Sequence, residues 1–236
     1  AAWAAPVWTL LGLKFDGAVF FFGVAELRFI AAVQSAAPLP RAAIAASDAG
    51  LPVYPILAPL HDEAAMLPDL VAALRSIDWP TERLDIKLLL EAGDAPTIAA
   101  ARFAASGAPF EIIILPPRGP LTKPKALAFA LPLARGDFIT VYDAEDRPHP
   151  RQLREAWAAF SAAGPDLACL QSPLVIDNGA ANWLSLSFAM EYAALFDGVL
   201  PALAAFGMPL PLGGTSNHFR REALEAVGGW DPFNVT

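Results

Sequence analysis

Between residues 52 and 171, short apolar runs alternate with segments that have the periodicity of amphipathic helices. The runs cover residues 53–57, 86–90, 111–115, 138–142 and 167–171, and each has the length of a buried strand. Strands that alternate with helices at this spacing form βαβ units with right-handed crossovers, and such units build a mainly parallel sheet. The alternation therefore predicts an α/β domain whose sheet is flanked by helices.

The composition limits the classes of protein that this chain can belong to. With 236 residues, 56% hydrophobic content and a mean hydropathy of +0.44, the chain can bury one large α/β core, with or without a membrane-contacting element. Its net charge of −8 argues against a nucleic-acid partner, because phosphate backbones require clustered Lys and Arg. A nucleotide that binds through a metal ion is compatible with this acidic surface.

The first 37 residues are apolar and rich in aromatic side chains, and they precede the alternating region. Their length suits a membrane span of ~20 residues, but four charged side chains interrupt the stretch, namely Lys14, Asp16, Glu26 and Arg28. Residues 1–37 are therefore interpreted either as a membrane-spanning or membrane-associated segment or as a helix packed on protein. Residues 38–51 contain Pro and Gly and are predicted to be a linker, so the folded domain is expected at 52–236.

A second long apolar segment covers residues 183–200, where Glu191 and Asp197 are the only charged residues. Helices that lie at a membrane interface commonly carry a basic face, and this segment has none. The sequence therefore favours a core helix over an interfacial one.

Acidic residues follow several of the predicted strands. The carboxyl ends of parallel strands meet at one edge of a sheet, where open α/β sheets bind ligands. The acids expected to gather there are Glu63, Glu91, Asp94, Asp143 and Glu145. Because clustered carboxylates repel one another unless a cation or hydrogen-bond donors offset their charge, the pattern indicates a binding site.

Asp143 and Glu145 lie two residues apart, directly after the apolar run 138–142. Both side chains can reach one cation, and Mg²⁺ or Mn²⁺ is commonly held by one or two carboxylates together with substrate phosphates. The alternative is that these acids cap the next helix or are solvated in a loop. Lys123 precedes a predicted helix, where a phosphate contact is plausible, and Gly213 and Gly214 allow close backbone approach to a ligand or form an ordinary turn.

Seven short motifs in order resemble those of glycosyltransferase family 2, in its membrane-embedded, cellulose-synthase-like branch. They are PLHDE (59–63), LEAGD (90–94), TKPKAL (122–127), VYDAEDRP (141–148), QSP (171–173), GGTSN (213–217) and GGW (228–230). The resemblance implies a GT-A fold and an inverting enzyme of the hexosyltransferase type, which transfers a sugar from a nucleotide-diphosphate sugar, usually a UDP-sugar, to an acceptor hydroxyl. It also implies polysaccharide or glycan synthesis at the inner membrane, with the catalytic domain facing the cytoplasm and a glycan or lipid-linked acceptor.

The resemblance also assigns roles to individual residues. Asp143 and Glu145 match the catalytic, metal-binding D-x-D motif of the family, with Glu145 in place of the second Asp. The nucleotide is expected to be held by Glu63, Glu91, Asp94 and Lys123. The acceptor side is expected to be lined by Gln171, Gly213, Gly214 and Thr215.

One family feature is missing from the printed sequence. The general base of the family is an Asp in a T-E-D motif, which is expected just beyond Thr236. Residues 52–236 are therefore interpreted as a truncated domain that can bind the donor but can fail to transfer its sugar. A non-catalytic nucleotide-sugar-binding or membrane assembly module is therefore an alternative. A sugar-phosphate nucleotidyltransferase is a weaker one, since it requires a basic, Gly-rich loop where residues 59–63 are acidic.

Overall fold

A computed structural model of the protein describes residues 5–34, 44 and 47–234. The chain divides into two compact units. The described residues of Ala1–Pro40 and Pro173–Pro211 form the first unit, and those of Arg41–Ser172 and Leu212–Thr236 form the second. This division differs from the predicted boundaries, because residues 173–211 group with the N-terminal segment.

The second unit is built around a six-stranded sheet of order β3-β2-β1-β4-β6-β5. Its strands are β1 (Tyr54–Leu60), β2 (Leu84–Glu91), β3 (Phe110–Leu115), β4 (Phe138–Val141), β5 (Cys169–Gln171) and β6 (Asn217–Arg220). Strands β1 to β4 pair in parallel, whereas β6 pairs antiparallel with both β4 and β5. The predicted mainly parallel α/β fold is thus confirmed. Strand β6 was not predicted, since the sequence there indicated only a Gly-rich turn before a short helix.

Helices connect these strands and cover the sheet. They are α2 (Leu67–Arg75), α3 (Ala95–Ala104), α4 (Lys123–Ala130), α5 (Gln152–Ala163) and α8 (Arg221–Ala226), with short 3-10 turns at Thr81–Arg83 and Leu131–Leu133. Alternate strand residues face opposite sides, so Ile56 and Leu88 belong to one core cluster and Leu57 and Leu89 to the other. Burial on both faces explains why β1 and β4 carry no charged residue, whereas β2 buries Asp85 and Lys87 as an ion pair.

Strand β1 is longer than predicted, because it continues through Pro59 to Leu60. All seven of its residues are in register with β2, which carries the strand beyond residue 57. Its end therefore lies beside the end of β2, at the edge where the acidic loops begin.

The last part of the predicted linker also contacts the folded domain. The Asp48 carboxylate forms an ion pair with the Arg154 guanidinium at 2.6 Å.

The first unit contains α1 (Ala5–Gln34) and a second helical stretch made of α6 (Trp183–Ala193), a π-helical segment (Ala194–Val199) and α7 (Leu200–Ala205). Helix α1 contacts the π segment and α7. A side-chain carbon built onto Gly198 would lie 3.9 Å from the Cβ of buried Ala31, so small residues line this contact. Among the described helices, Pro6–Ala31 and Trp183–Ala205 are long and apolar enough to cross a membrane, judged by length and composition alone.

The interpretation of residues 183–200 as a core helix is wrong. Trp183 is 77% exposed and Met190 is 66% exposed, and Leu184, Leu186 and Phe188 are exposed too. The absence of a basic face did not distinguish a core helix from one that presents apolar side chains outward. A contiguous exposed apolar surface of this kind marks a contact site for protein or membrane.

Candidate active site

The loop after β4 carries the predicted cation ligands. Asp143 follows the strand by two residues and is partly buried, and Glu145 is exposed at the surface. The backbone N–H of Asp143 donates a hydrogen bond of 2.7 Å to Oδ2 of Asp146, which closes the loop on itself. The carboxylates at 143 and 145 are therefore presented by a short turn that a buried strand supports.

Lys123 joins two loops at this edge of the sheet. It is the first residue of α4, whose N-cap is Thr122, with the Thr122 side chain accepting the N–H of Lys125. The Lys123 ammonium forms an ion pair with the Asp143 carboxylate and donates to the carbonyl oxygen of Gly214 at 2.7 Å. The structure thus brings together three predicted site residues that are far apart in sequence.

Glu63 lies at the same edge, after β1. Burial raises the pKa of its carboxyl group, and the negative charges of Glu145 and Asp143 raise the pKa further, although a hydrogen bond from the backbone of His61 opposes them. These charges act on Glu63 through space, as expected for acids at one edge of the sheet. That Glu63, Asp143 and Glu145 form one binding site stays a prediction.

Glu91 is the last residue of β2, Asp94 follows it in the next loop, and both have partners of their own. Glu91 forms an ion pair with Lys125 at 2.6 Å, and both side chains are nearly buried. Asp94 is the N-cap of α3, and its two carboxylate oxygens accept the backbone N–H groups of Thr97 and Asp62 at 3.1 and 2.7 Å. Burial raises the pKa of Asp94, but these hydrogen bonds outweigh that effect and lower the pKa overall.

The predicted acceptor-side residues form a second hydrogen-bonded group. The N–H of Gly213 donates to Oε1 of Gln171 at 2.7 Å, and Nε2 of Gln171 donates to the carbonyl oxygen of Thr215 at 3.1 Å. A Cβ atom at residue 213 would lie 3.0 Å from Oε1 of Gln171, so a side chain there would press on this contact. A side chain at residue 213 would therefore fit only if the Gln171 amide moved by a few tenths of an ångström.

Asp146 was not among the predicted site residues. Burial raises the pKa of its carboxyl group, and hydrogen bonds from the Thr215 hydroxyl and the Asp143 N–H partly offset that rise. It is the third acid within four residues after the strand, and this spacing was the only signal in the sequence. The ion pair between Lys125 and Glu91 was not predicted either.

The oxygen ligands of Asp143 and Glu145 suit a hard divalent cation such as Mg²⁺ or Mn²⁺. Within the part of the chain that the structure describes, the group of three potential metal ligands whose atoms lie within 4.8 Å of one another is formed by His61, Asp62 and Asp94, and it does not include Asp143 or Glu145. Both oxygens of Asp94 already accept backbone N–H groups, which makes that group the poorer candidate. The donor chemistry of Asp143 and Glu145 fits a cation, and their role as its ligands stays a prediction.

The mainly parallel sheet is common to many α/β folds, and the likeness to a solved structure places this one in the GT-A class. A mannosyltransferase from Pyrobaculum calidifontis, determined in complex with GDP-Man and Mn²⁺, is 20% identical with a TM-score of 0.63, over 92% of this chain and 57% of that chain. The family model described as "Glycosyltransferase like family 2" matches residues 53–236. The chain belongs to this family.

Curated relatives are similar over most of this chain. The beta-monoglucosyldiacylglycerol synthase of Trichormus variabilis is 24% identical over 223 residues, which are 93% of this chain and 47% of the relative. The probable glucomannan 4-beta-mannosyltransferase 1 of Arabidopsis thaliana is 25% identical over 191 residues, which are 76% of this chain and 34% of the relative. The chain thus spans less than half the length of these relatives.

Proposed function

We propose that this chain is the donor-binding part of an inverting hexosyltransferase, which transfers a sugar from a nucleotide-diphosphate sugar to an acceptor hydroxyl. The observation that carries the proposal is the meeting of Lys123 with Asp143, close to Glu63 and Glu145, at the carboxyl edge of the sheet. This edge is where open α/β sheets bind ligands. Membership of glycosyltransferase-like family 2 supports the same reading.

The donor that we propose is a UDP-sugar. Glu63, Glu91 and Asp94 are assigned to the nucleoside, and the ion pair with Lys125 holds the Glu91 carboxylate at the end of β2. Lys123 at the first position of α4 is assigned to the diphosphate, because an ammonium group and a helix N-terminus both favour anions. The S. aureus protein TarS 1-349, solved with UDP-GlcNAc, has a TM-score of 0.51 and 13% identity to this chain, and it supports the fold on which this assignment rests.

Asp143 and Glu145 would hold the Mg²⁺ or Mn²⁺ ion. Such an ion neutralises negative charge that develops on a departing diphosphate. Lys123 contributes a further positive charge on the same side, fixed by its bonds to Asp143 and to the Gly214 carbonyl. Gln171, Gly213, Gly214 and Thr215 are assigned to the acceptor side. We assign no residue of this chain as the general base.

We propose that the acceptor is a glycan or a lipid-linked molecule and that the protein acts at the inner membrane, with residues 52–236 facing the cytoplasm. The exposed apolar helices of the first unit and the name of the diacylglycerol-glucosylating relative support this. Residues 1–37 are proposed to contact or span the membrane. The biological role that we propose is polysaccharide or glycan synthesis.

A thermal-shift experiment tests donor binding. We expect UDP with Mn²⁺ to raise the melting temperature of the chain, and Asp143→Ala to abolish the rise. Glu82→Ala is the matched control, because Glu82 is an exposed acid in the turn before β2, at the amino end of that strand. An equal rise in the Asp143→Ala variant would overturn the assignment of the cation site.

A further inference from the structure

Two loops of the candidate site meet at one carboxylate oxygen. Oδ2 of Asp146 accepts the backbone N–H of Asp143 at 2.7 Å and also accepts the hydroxyl group of Thr215. Thr215 is buried and lies 69 residues after Asp146 in the chain. The Thr215 hydroxyl oxygen also accepts the Asp143 N–H, and the hydroxyl approaches the Val141 carbonyl oxygen, both at 3.3 Å. Asp146 and Thr215 together therefore connect the loop that presents the predicted cation ligands with the loop that contains Gly213 and Gly214.

The Thr215 loop is held in place from its other side as well. The N–H of Ser216 donates to the carbonyl oxygen of Val141 at 2.8 Å, and the N–H of Ser172 donates to the carbonyl oxygen of Ser216 at 3.0 Å. Ser216 has a φ of 55°, a left-handed conformation that is unfavourable for a non-glycine residue. Such a conformation persists only where the surrounding contacts impose it, so the direction of the Thr215 side chain is a fixed feature of the loop.

Lys123 makes a second connection between the same two loops, through the Asp143 carboxylate and the Gly214 carbonyl. The two connections differ in exposure, because Lys123 is partly accessible whereas Thr215 is buried. A ligand that competes for Lys123 would loosen the first connection and leave the one through Asp146 intact. Asp146 can therefore hold the two loops in the same relative position while Lys123 exchanges the Asp143 carboxylate for the ligand.

We propose that Asp146 is a positioning residue, which sets the Asp143–Glu145 turn against the Gly213–Thr215 loop through its bond to the Thr215 hydroxyl. The inference rests on the proposed function, since it concerns the same site. Its consequence is that the cation and the donor diphosphate bind more weakly when the Thr215 hydroxyl is removed, although Thr215 belongs to the predicted acceptor side.

The experiment measures the Kd of UDP in the presence of Mn²⁺ by calorimetry, using the whole chain. We expect Thr215→Val to weaken binding by about tenfold, because a hydrogen bond to a charged group is lost, and Thr215→Ser to restore most of it. Asp146→Asn keeps the shape and removes the charge, and it should weaken binding in the same direction. Thr81→Val, in an exposed turn outside the site, is the matched control and should bind like the unaltered chain.

The melting temperature without ligand separates positioning from stability. If Asp146 and Thr215 only stabilise the fold, Thr215→Val and Asp146→Asn should lower the melting temperature but leave the Kd of UDP unchanged at temperatures where the variants are folded. That result would overturn the inference. The double variant should bind no more weakly than the weaker single variant, whereas additive losses would contradict a shared bond. If the unaltered chain does not bind UDP with Mn²⁺, the proposed function fails and the inference fails with it.

Discussion

Lys123 forms an ion pair with the Asp143 carboxylate, twenty residues further along the chain. The lysine begins a helix and the aspartate follows a strand, so the contact exists because α4 begins and β4 ends at the same edge of the sheet. A divalent cation at Asp143 and a diphosphate at Lys123 would each compete with this ion pair. We therefore expect the proposed cation and donor binding to be coupled at this contact.

Replacement of Lys123 tests that coupling. We expect Lys123→Gln to weaken UDP binding by about tenfold, since a charged partner of the diphosphate is lost. The affinity for Mn²⁺ alone should not fall, because a competing positive charge has been removed from Asp143. Calorimetry with Arg102→Gln as the control checks both values, and a loss of Mn²⁺ affinity equal to the loss of UDP affinity would count against this account.

The buried ion pair between Glu91 and Lys125 should contribute to stability as a unit. Lys125→Met leaves the Glu91 carboxylate nearly buried without its partner, which we expect to lower the free energy of unfolding by about 3 kcal/mol. The double variant with Glu91→Gln should recover much of this loss. Urea unfolding measures these values, and Asp69→Asn, which breaks an exposed ion pair with Arg147, should cost less than about 1 kcal/mol. If Lys125→Met also lowers the free energy of unfolding by less than about 1 kcal/mol, the prediction is refuted.

His218 should make the fold sensitive to acid. Burial lowers its pKa to about 3, and its Nδ1 shares a hydrogen bond of 2.8 Å with the hydroxyl of Tyr54. A histidine in the unfolded chain titrates near ~6.5, so the unfolded state takes up the proton first. The contribution of His218 to the free energy of unfolding is therefore complete above pH ~6.5 and is lost as the pH falls toward 3. The loss is at most about 1.4 kcal/mol per pH unit.

Urea unfolding between pH 7 and pH 4 tests this pH dependence. The other titrating groups contribute equally to the pH dependence of the unfolding free energy in the unaltered chain and in a His218→Phe variant. The difference between the two slopes of unfolding free energy against pH therefore isolates His218. We expect a shallower slope for His218→Phe, and a slope like that of the unaltered chain for His149→Phe, where the histidine is exposed. Parallel curves for the chain and His218→Phe would show that the buried imidazole is not responsible.

The exposed apolar helices of the first unit should bind lipid. We expect the chain to float with phospholipid vesicles, and the charged substitution Leu186→Asp to reduce the floating fraction, because a charge at a lipid-facing position is unfavourable. Val227→Asp is the control, since Val227 is 79% exposed in the second unit. Release of membrane-bound chain by a carbonate wash would argue against a spanning helix.

The sequence predicted those features that depend on the chain locally and on simple topology. Strands β1 to β4 were found because each contains a short apolar run, and the expected gathering of Glu63, Asp143 and Glu145 follows from parallel strand order. Strand β6 was missed because its four residues include His218 and Arg220, which carry no alternating pattern. Its burial is imposed by pairing with β4 and β5.

Contacts between distant parts of the chain were beyond the reach of the sequence patterns. Asp146 meets Thr215 across 69 residues, and Lys125 meets Glu91 across 34, so no local spacing indicates either bond. The second apolar helix was misread for a different reason. An apolar segment has the same composition whether it faces a core or a membrane, and only the exposure of Trp183 and Met190 separates the two.

The most direct test of the central claim is the binding of Mn²⁺ in the presence of UDP, followed by the electron paramagnetic resonance signal of the unbound ion. The unaltered chain is expected to bind Mn²⁺, Glu145→Asp to retain binding, and Asp143→Ala and Glu145→Gln each to weaken it by about tenfold or more. Unchanged Mn²⁺ affinity in both Asp143→Ala and Glu145→Gln would contradict the claim that these two carboxylates hold the cation that binds the donor diphosphate.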